Sequence, residues 1–180
     1  MDDIKIYDNF LDYKDYHSLK ELFCCTDEFK GAPFFYAPTV LDKKENYGYD
    51  FQFTHGLYDG VLRKEIGVLS PYFDLLNPIC KKLKVEKLYR AKVNIRTRSP
   101  KIYESGFHVD LSNKIEEHKT AIYYLNTNDG YTLFKSGEKV KSIGNRILVF
   151  DGQLSHSGTT CTDQDIRSVL NINYSWRDFK

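Results

Sequence analysis

The chain has 180 residues, long enough for one sizeable core and short for two, so a single domain spanning 1–180 is expected. Its 26 basic and 25 acidic side chains leave a formal net charge of +1, which removes any global attraction for nucleic acid or an anionic membrane. No apolar run is long enough to span a bilayer, Met1-Asp2-Asp3-Ile4-Lys5 lacks the basic-then-apolar order of a signal peptide, and Cys24, Cys25, Cys80 and Cys161 contain no Cys-x-x-Cys pair; a cytoplasmic protein without membrane partner, zinc ribbon or disulfide framework is expected.

Ile4-Lys5-Ile6-Tyr7 alternates as a short strand. Asp12 can cap a helix whose apolar positions Tyr16, Leu19, Leu22 and Phe23 recur at helical spacing. An aromatic, turn-rich stretch follows, Pro33-Phe34-Phe35-Tyr36-Ala37-Pro38 and then Tyr47-Gly48-Tyr49-Asp50-Phe51-Gln52-Phe53-Thr54-His55. Its end alternates like a strand, and its earlier aromatics suit either core and edge packing or a substrate-facing loop. Ser70-Pro71 opens a second helical stretch, with Phe73, Leu76, Ile79 and Leu83 along one face and Pro78 placed to kink or shorten it.

From Leu88 onward the pattern is almost wholly β: Leu88 to Ile95, Gly106 to Asp110, Thr120 to Asn126, Tyr131 to Phe134, Arg146 to Phe150 and Arg167 to Trp176. Asn128-Asp129-Gly130, Ser136-Gly137 and Asp151-Gly152 supply turns between them. The expected architecture is mainly β with flanking N-terminal helices, a double-stranded β-helix of the jelly-roll, cupin-like kind. In it, 1–87 is a helical and aromatic support region and 88–180 the jelly-roll core.

His108-Val109-Asp110 carries the first chemical signal, because alternate strand side chains share a face and both polar groups can reach one ion. Of the other histidines, His17 falls in the first helix, His55 precedes the β-rich part and His118 lies in the polar run from Asn113 to Lys119. His156 instead follows an apolar strand and the turn Asp151-Gly152-Gln153, near a strand mouth. Two imidazoles and one carboxylate suit Fe(II) with open positions, whereas structural zinc takes four protein ligands.

Arg167 is the second signal. Its strand face continues through Val169, Asn171 and Asn173, polar for a core strand, while Leu170 and Ile172 form the apolar face. A buried guanidinium requires an anion, either a ligand carboxylate held by two hydrogen bonds or a neighbouring acid such as Asp163 or Asp165. Lys81, Lys82, Lys84, Lys87, Arg90, Lys92, Arg96, Arg98 and Lys101, opposed by Glu86, form a basic stretch that suits a solvated face or a guide for an acidic peptide or nucleic acid.

The chain resembles the 2-oxoglutarate/Fe(II)-dependent dioxygenases, particularly the prolyl 4-hydroxylase-like branch and its small bacteriophage relatives. The likeness runs from Ile6-Tyr7-Asp8-Asn9-Phe10-Leu11 through Gly106-Phe107-His108-Val109-Asp110 and Ile122-Tyr123-Tyr124-Leu125-Asn126 to His156-Ser157-Gly158 and Arg167-Ser168-Val169. It implies His108, Asp110 and His156 as ligands of a catalytic iron and Arg167 as the contact to the distal carboxylate of 2-oxoglutarate. Tyr124 matches a family tyrosine reaching that carboxylate, and is equally readable as a core tyrosine. Asn94 or Arg96 occupies the preceding strand, where the family often has a tyrosine contact.

The implied cofactors are Fe(II), 2-oxoglutarate as co-substrate and O2, with ascorbate as an accessory reductant. The implied reaction hydroxylates a substrate C–H bond, first a peptidyl proline or other protein side chain and next a small molecule, releasing succinate and CO2; a viral member would act in the host cytoplasm. Asp110 argues against the halogenase variant, which lacks that carboxylate. A nucleic-acid oxygenase of the same superfamily typically has an arginine six residues after the co-substrate arginine, where Asn173 stands here. A catalytically idle, metal-binding jelly-roll interaction module is the alternative from another class.

Overall fold

Asp12 ends the extended entry of the chain and starts the first helix: its carboxylate accepts the backbone N–H of Asp15 at 2.9 Å, satisfying a donor that the helix cannot. The computed structural model describes residues 4–25, 27, 30–40, 50–61, 67–111, 115 and 117–176. Helix α1 (Tyr13–Phe23) buries Leu19 and Phe23, with Tyr16 and Leu22 packed beside them. The helical stretch expected from Ser70 forms in two pieces, a 3-10 turn at Phe73–Leu76 and then α2 at Asn77–Lys82. Pro78 accounts for the break, because a ring without an N–H fits only the first turn of a helix.

Among the described residues ten strands accompany these helices: β1 (Lys5–Tyr7), β2 (Phe35–Ala37), β3 (Gln52–Asp59), β4 (Val85–Thr97), β5 (Lys119–Tyr124), β6 (Tyr131–Phe134), β7 (Lys139–Lys141), β8 (Arg146–Asp151), β9 (His156–Gly158) and β10 (Ile166–Trp176). They build a seven-stranded antiparallel sheet in the order β1-β8-β5-β10-β4-β3-β2 and a three-stranded one, β7-β6-β9. This is the mainly β, double-sheet jelly roll with N-terminal helices that the pattern predicts. The N-terminal strands β1, β2 and β3 extend the larger sheet rather than standing apart from it. Among the described residues, no helix is long and apolar enough to cross a membrane.

Strand parity sets the two faces of the large sheet. Leu170, Ile172 and Tyr174 of β10, with Ala91 and Val93 of β4, pack outward on Leu19, Phe23, Leu76 and Ile79 in the main core. Val169, with Ile122, Tyr124, Leu148 and Phe150, turns inward onto Phe134 and Val140 of the small sheet. His55 points to the helix side, with Nδ1 2.7 Å from the Pro33 carbonyl and Nε2 2.8 Å from the Ser70 hydroxyl, and is thereby a tie between loops.

Two local expectations are corrected. Gly106 to Asp110 is not a regular strand; it touches β9 through one isolated bridge, His108 to His156, with a second just outside both segments at Glu104 to Thr159, and Asp110 already lies in a turn. The edge it meets, β9, is only three residues long, so a continuous ladder has nothing to pair with. Strands β7 and β9 were not expected, because three residues carry too little alternation to read. Of the aromatic stretch, Phe34 packs on the core, Phe35 and Tyr36 stay exposed on edge strand β2, and Tyr47-Gly48-Tyr49 lies outside the described residues.

Asn145 fastens the N-terminal segment to the sheet. It adopts a left-handed backbone (φ 62), and its buried amide accepts from Leu11 N–H (2.8 Å) and the Tyr123 hydroxyl (2.7 Å) while donating to the Leu11 carbonyl (2.9 Å). Asn145→Leu is expected to cost about 4 kcal/mol, from three lost hydrogen bonds at about 1 kcal/mol each plus the left-handed penalty. Asn145→Gly, which keeps the backbone freedom, should lose less; urea unfolding midpoints of the two variants check the order.

Candidate metal centre and its cleft

His108 and His156 face each other as a reciprocally bonded backbone pair, each N–H donating to the other's carbonyl at 2.9 and 3.0 Å. That pairing brings their ring centroids to 4.7 Å. Asp110, two residues on, places Oδ1 3.7 Å from His108 Nε2 and Oδ2 3.9 Å from His156 Nε2. One ligand atom from each residue falls within 4.8 Å of the others, the only such group of three or more found among the described residues.

The tautomers follow from the second nitrogen of each ring. Nδ1 of His156 lies 3.1 Å from the Leu154 carbonyl and Nδ1 of His108 lies 3.3 Å from the Gly106 carbonyl. A carbonyl only accepts, so Nδ1 carries the proton and the Nε2 lone pair is left for a metal. Burial first, and then the second basic ring at His156, lower the pKa of His108 and favour its neutral form, the one that ligates.

Asp110 is almost fully enclosed. Arg90 Nη2 donates to Oδ1 at 3.0 Å, and the side-chain amides of Asn171 and Asn173 donate to Oδ2 at 3.0 and 3.1 Å. Burial alone would raise its pKa, but interactions with the basic side chains of His156, Arg90 and His108 and the Asn173 hydrogen bond outweigh it and hold the carboxyl well below the usual range. Two imidazoles and one carboxylate held in its ionised form fit a divalent ion with open positions better than a closed four-ligand site. Arg90 was visible in the sequence only as one of a basic run; its role depends on sharing the inner face with Asn173, to whose Oδ1 it also donates at 3.2 Å.

Beside the triad, a cleft runs along β4 and β10, lined among others by Lys92, Asn94, Arg96, Arg167 and Asn171. Arg167 is 3% exposed and donates to the hydroxyls of Ser142 (2.9 Å) and Thr132 (3.3 Å), with its guanidinium 5.8 Å over the Tyr124 ring. No carboxylate lies within ion-pair distance of it among the described residues. Asp165 instead pairs with Arg98 at 3.2 Å and Asp163 accepts the Asp129 N–H at 3.0 Å, so neither candidate acid serves Arg167. Arg96 stands directly opposite Arg167 in the ladder, donates to the Ser105 hydroxyl and lies 3.8 Å from Asp50.

Asn94 lines the cleft, and its buried Oδ1 has no hydrogen-bond partner. Tyr124 does not line it: the ring is fully buried and its hydroxyl donates to Thr132 at 2.8 Å, one step behind Arg167. Gly130 permits this packing, since a Cβ there would fall 2.6 Å from the Thr160 carbonyl and 2.7 Å from Arg167 Cδ. The remaining histidines lie elsewhere. His17 stacks on Tyr13 at 3.9 Å, and His118 is buried against Gly152 with Nδ1 3.2 Å from the Ile115 carbonyl.

No family model matches the sequence, and no curated protein matches it in sequence. Solved structures match in fold. An oxidoreductase of the 2OG-Fe(II) oxygenase family from Burkholderia pseudomallei superposes with a TM-score of 0.68 at 12% identity, covering 97% of this chain and 86% of its own. A Pseudomonas putida prolyl-4-hydroxylase gives 0.60 at 13% identity, covering 98% and 94%. The viral collagen prolyl hydroxylase from Paramecium Bursaria Chlorella virus-1, in its 2OG complex, gives 0.58 at 11% identity, covering 97% and 96%. The chain therefore has the fold of the 2-oxoglutarate/Fe(II) oxygenases, prolyl hydroxylases included, as its sequence motifs imply.

Replacing a group that orients a metal ligand typically lowers metal affinity 10- to 100-fold, and Asn173→Leu, which removes one of three donors to Asp110, is expected to fall in that range for Mn(II). Asp110→Ala should lose stoichiometric binding altogether. Titration of the apoprotein with Mn(II), followed by free-ion magnetic resonance, checks both.

Proposed function

We propose that the protein is a 2-oxoglutarate- and Fe(II)-dependent dioxygenase that hydroxylates a C–H bond of its substrate. The observation that carries this reading is Arg167: a guanidinium buried without an acid partner, in the same cleft as a convergent His-Asp-His set. Such a charge is costly unless an anion pairs with it, and the distal carboxylate of 2-oxoglutarate supplies that anion through a two-pronged contact. An idle metal-binding module would bear this cost without the compensating ligand.

His108, Asp110 and His156 would hold the iron, and Arg167, with Asn94 or Arg96 opposite, would hold the co-substrate. When bound, the iron supplies the oxidation in which one O2 converts 2-oxoglutarate and a C–H bond into succinate, CO2 and C–OH. The protein's share is positioning. Ser142 and Thr132 fix the Arg167 fork, Arg90, Asn171 and Asn173 fix Asp110, and the two backbone carbonyls fix the imidazoles. Likeness to prolyl hydroxylases in both motif and fold supports a peptidyl proline or another protein side chain as target. The nucleic-acid reading loses ground, because the side-chain amide of Asn173 is already committed to Asp110 and Thr120.

Succinate release with Fe(II), O2 and 2-oxoglutarate tests the class, since slow uncoupled turnover needs no substrate. In Arg167→Leu, the 2-oxoglutarate requirement should rise by about a hundredfold to several thousandfold, the equivalent of about 3–5 kcal/mol for one partner of a buried charged pair, with the Fe(II) requirement nearly unchanged. Lysine at this position should restore only part of the affinity. Undiminished 2-oxoglutarate binding in Arg167→Leu would remove the co-substrate assignment.

A further inference from the structure

The basic run of the sequence divides at β4. Antiparallel pairing sets Arg90 opposite Asn173, Lys92 opposite Asn171, Asn94 opposite Val169 and Arg96 opposite Arg167. The last three rungs line the cleft and the first lies beside it on the same face, and three of the four β4 positions are cationic. Arg90 is taken by Asp110, while Arg96 lies near Asp50. Lys92 differs: it lines the cleft with His108, Asp110 and His156, yet has no hydrogen-bond or ion-pair partner among the described residues.

Its surroundings are equally unfinished. Asn171, across the rung, donates to Asp110 but leaves a buried Oδ1 without a donor, and Asn94, one rung along, also leaves a buried Oδ1 without one. Burial first, then repulsion from Arg90, pushes the Lys92 ammonium down to about 8 against the pull of Asp110, so an additional negative group beside it would be welcome. The distal co-substrate carboxylate belongs two rungs away at Arg167, roughly 14 Å along the strands at about 3.4 Å per residue. The metal-proximal end of 2-oxoglutarate is spoken for by the ion itself.

We infer that Lys92 receives a carboxylate carried by the primary substrate, with an N–H or O–H of the same substrate meeting Asn171 Oδ1. This rests on the oxygenase reading and adds a substrate class to it: the target bears an acidic group close to the C–H bond presented to the metal. That group could be the side chain of an acidic residue within a peptide or the carboxylate of a small acid. Lys92 would be a specificity residue that touches substrate and takes no part in the chemistry.

The test uses full-length protein loaded with Mn(II) and 2-oxoglutarate, and reads paramagnetic relaxation of probe protons, which requires proximity to the metal and no turnover. Two matched pairs serve as probes: N-acetylglutamic acid α-amide against N-acetylglutamine α-amide, and a capped glycyl-prolyl-glutamyl-glycine peptide against its glutaminyl counterpart. In at least one pair the acidic member should bind about tenfold more tightly, as a single well-placed ion pair of about 1.4 kcal/mol gives; which pair responds separates a small acid from a peptide. Lys92→Gln should abolish that preference, Lys92→Arg should retain it, and Lys92→Glu should invert it toward a lysyl peptide. Equal binding within both pairs, or a preference that survives Lys92→Gln, overturns the inference alone. A loss of 2-oxoglutarate affinity in Lys92→Gln as large as that in Arg167→Leu also overturns it, by giving Lys92 to the co-substrate. Failure of the parent protein to bind 2-oxoglutarate at all overturns both readings.

Discussion

The pairing of β10 with β4 at the centre of the large sheet is the constraint on which the rest depends. In its register alternate residues of both strands share the cleft face, so the rung that holds Asp110, the Lys92 rung and the arginine rung are spaced by the pleat itself. A slip of one residue on either strand would turn Leu170 and Ile172, or Ala91 and Val93, into the cleft and strand the polar row against the helices. The apolar outer face therefore fixes the positions of the polar inner one. A bulge after the Arg90 rung, where Tyr174 pairs with Leu88 and Tyr89 is left over, ends the cationic row and returns Leu88 to the main core.

Charge in the cleft is arranged around a single enclosed acid. Asp110 is surrounded by one guanidinium, two amides and two imidazoles, and with both oxygens already engaged it cannot swing away to relieve a misplaced ion. Arg90 donates to the same carboxylate oxygen that faces His108, so an incoming divalent cation and Arg90 share Oδ1. For a bound ion such sharing would trade some affinity for a fixed ligand orientation.

Much of this was legible in the sequence. His108, Asp110, His156 and Arg167 were readable because each breaks a local pattern: a histidine and an aspartate two apart, a histidine after a turn, and a charge heading an apolar strand. Asp12 and Pro78 were readable because capping and ring sterics act over three or four residues. The partners of those residues were not. That Arg90 reaches Asp110 twenty positions on, that Asn145 ties down Leu11, or that Tyr124 ends on Thr132 rather than in the cleft depends on which strands become neighbours. The irregular path of 106–110 was missed for a related reason: alternation was present, but the edge available to pair with it was only β9.

The distal end of the cleft shows what such a site costs the fold. Arg167 is held by two hydroxyls and an aromatic face, enough to aim the guanidinium but not to neutralise it, and Arg96 stands opposite with like charge. Burial first, with the Arg167 charge adding to it against the pull of Asp50, lowers the pKa of Arg96 to about 10, and burial depresses Arg167, so both cations sit in an environment that disfavours their charge. The fold tolerates the arrangement because it is braced elsewhere, by the outward core on the helices and by Gly130, whose missing side chain lets the chain close tightly over Arg167. An anion entering between these arginines would pair with both, and that pairing would offset part of the cost of burying the two charges.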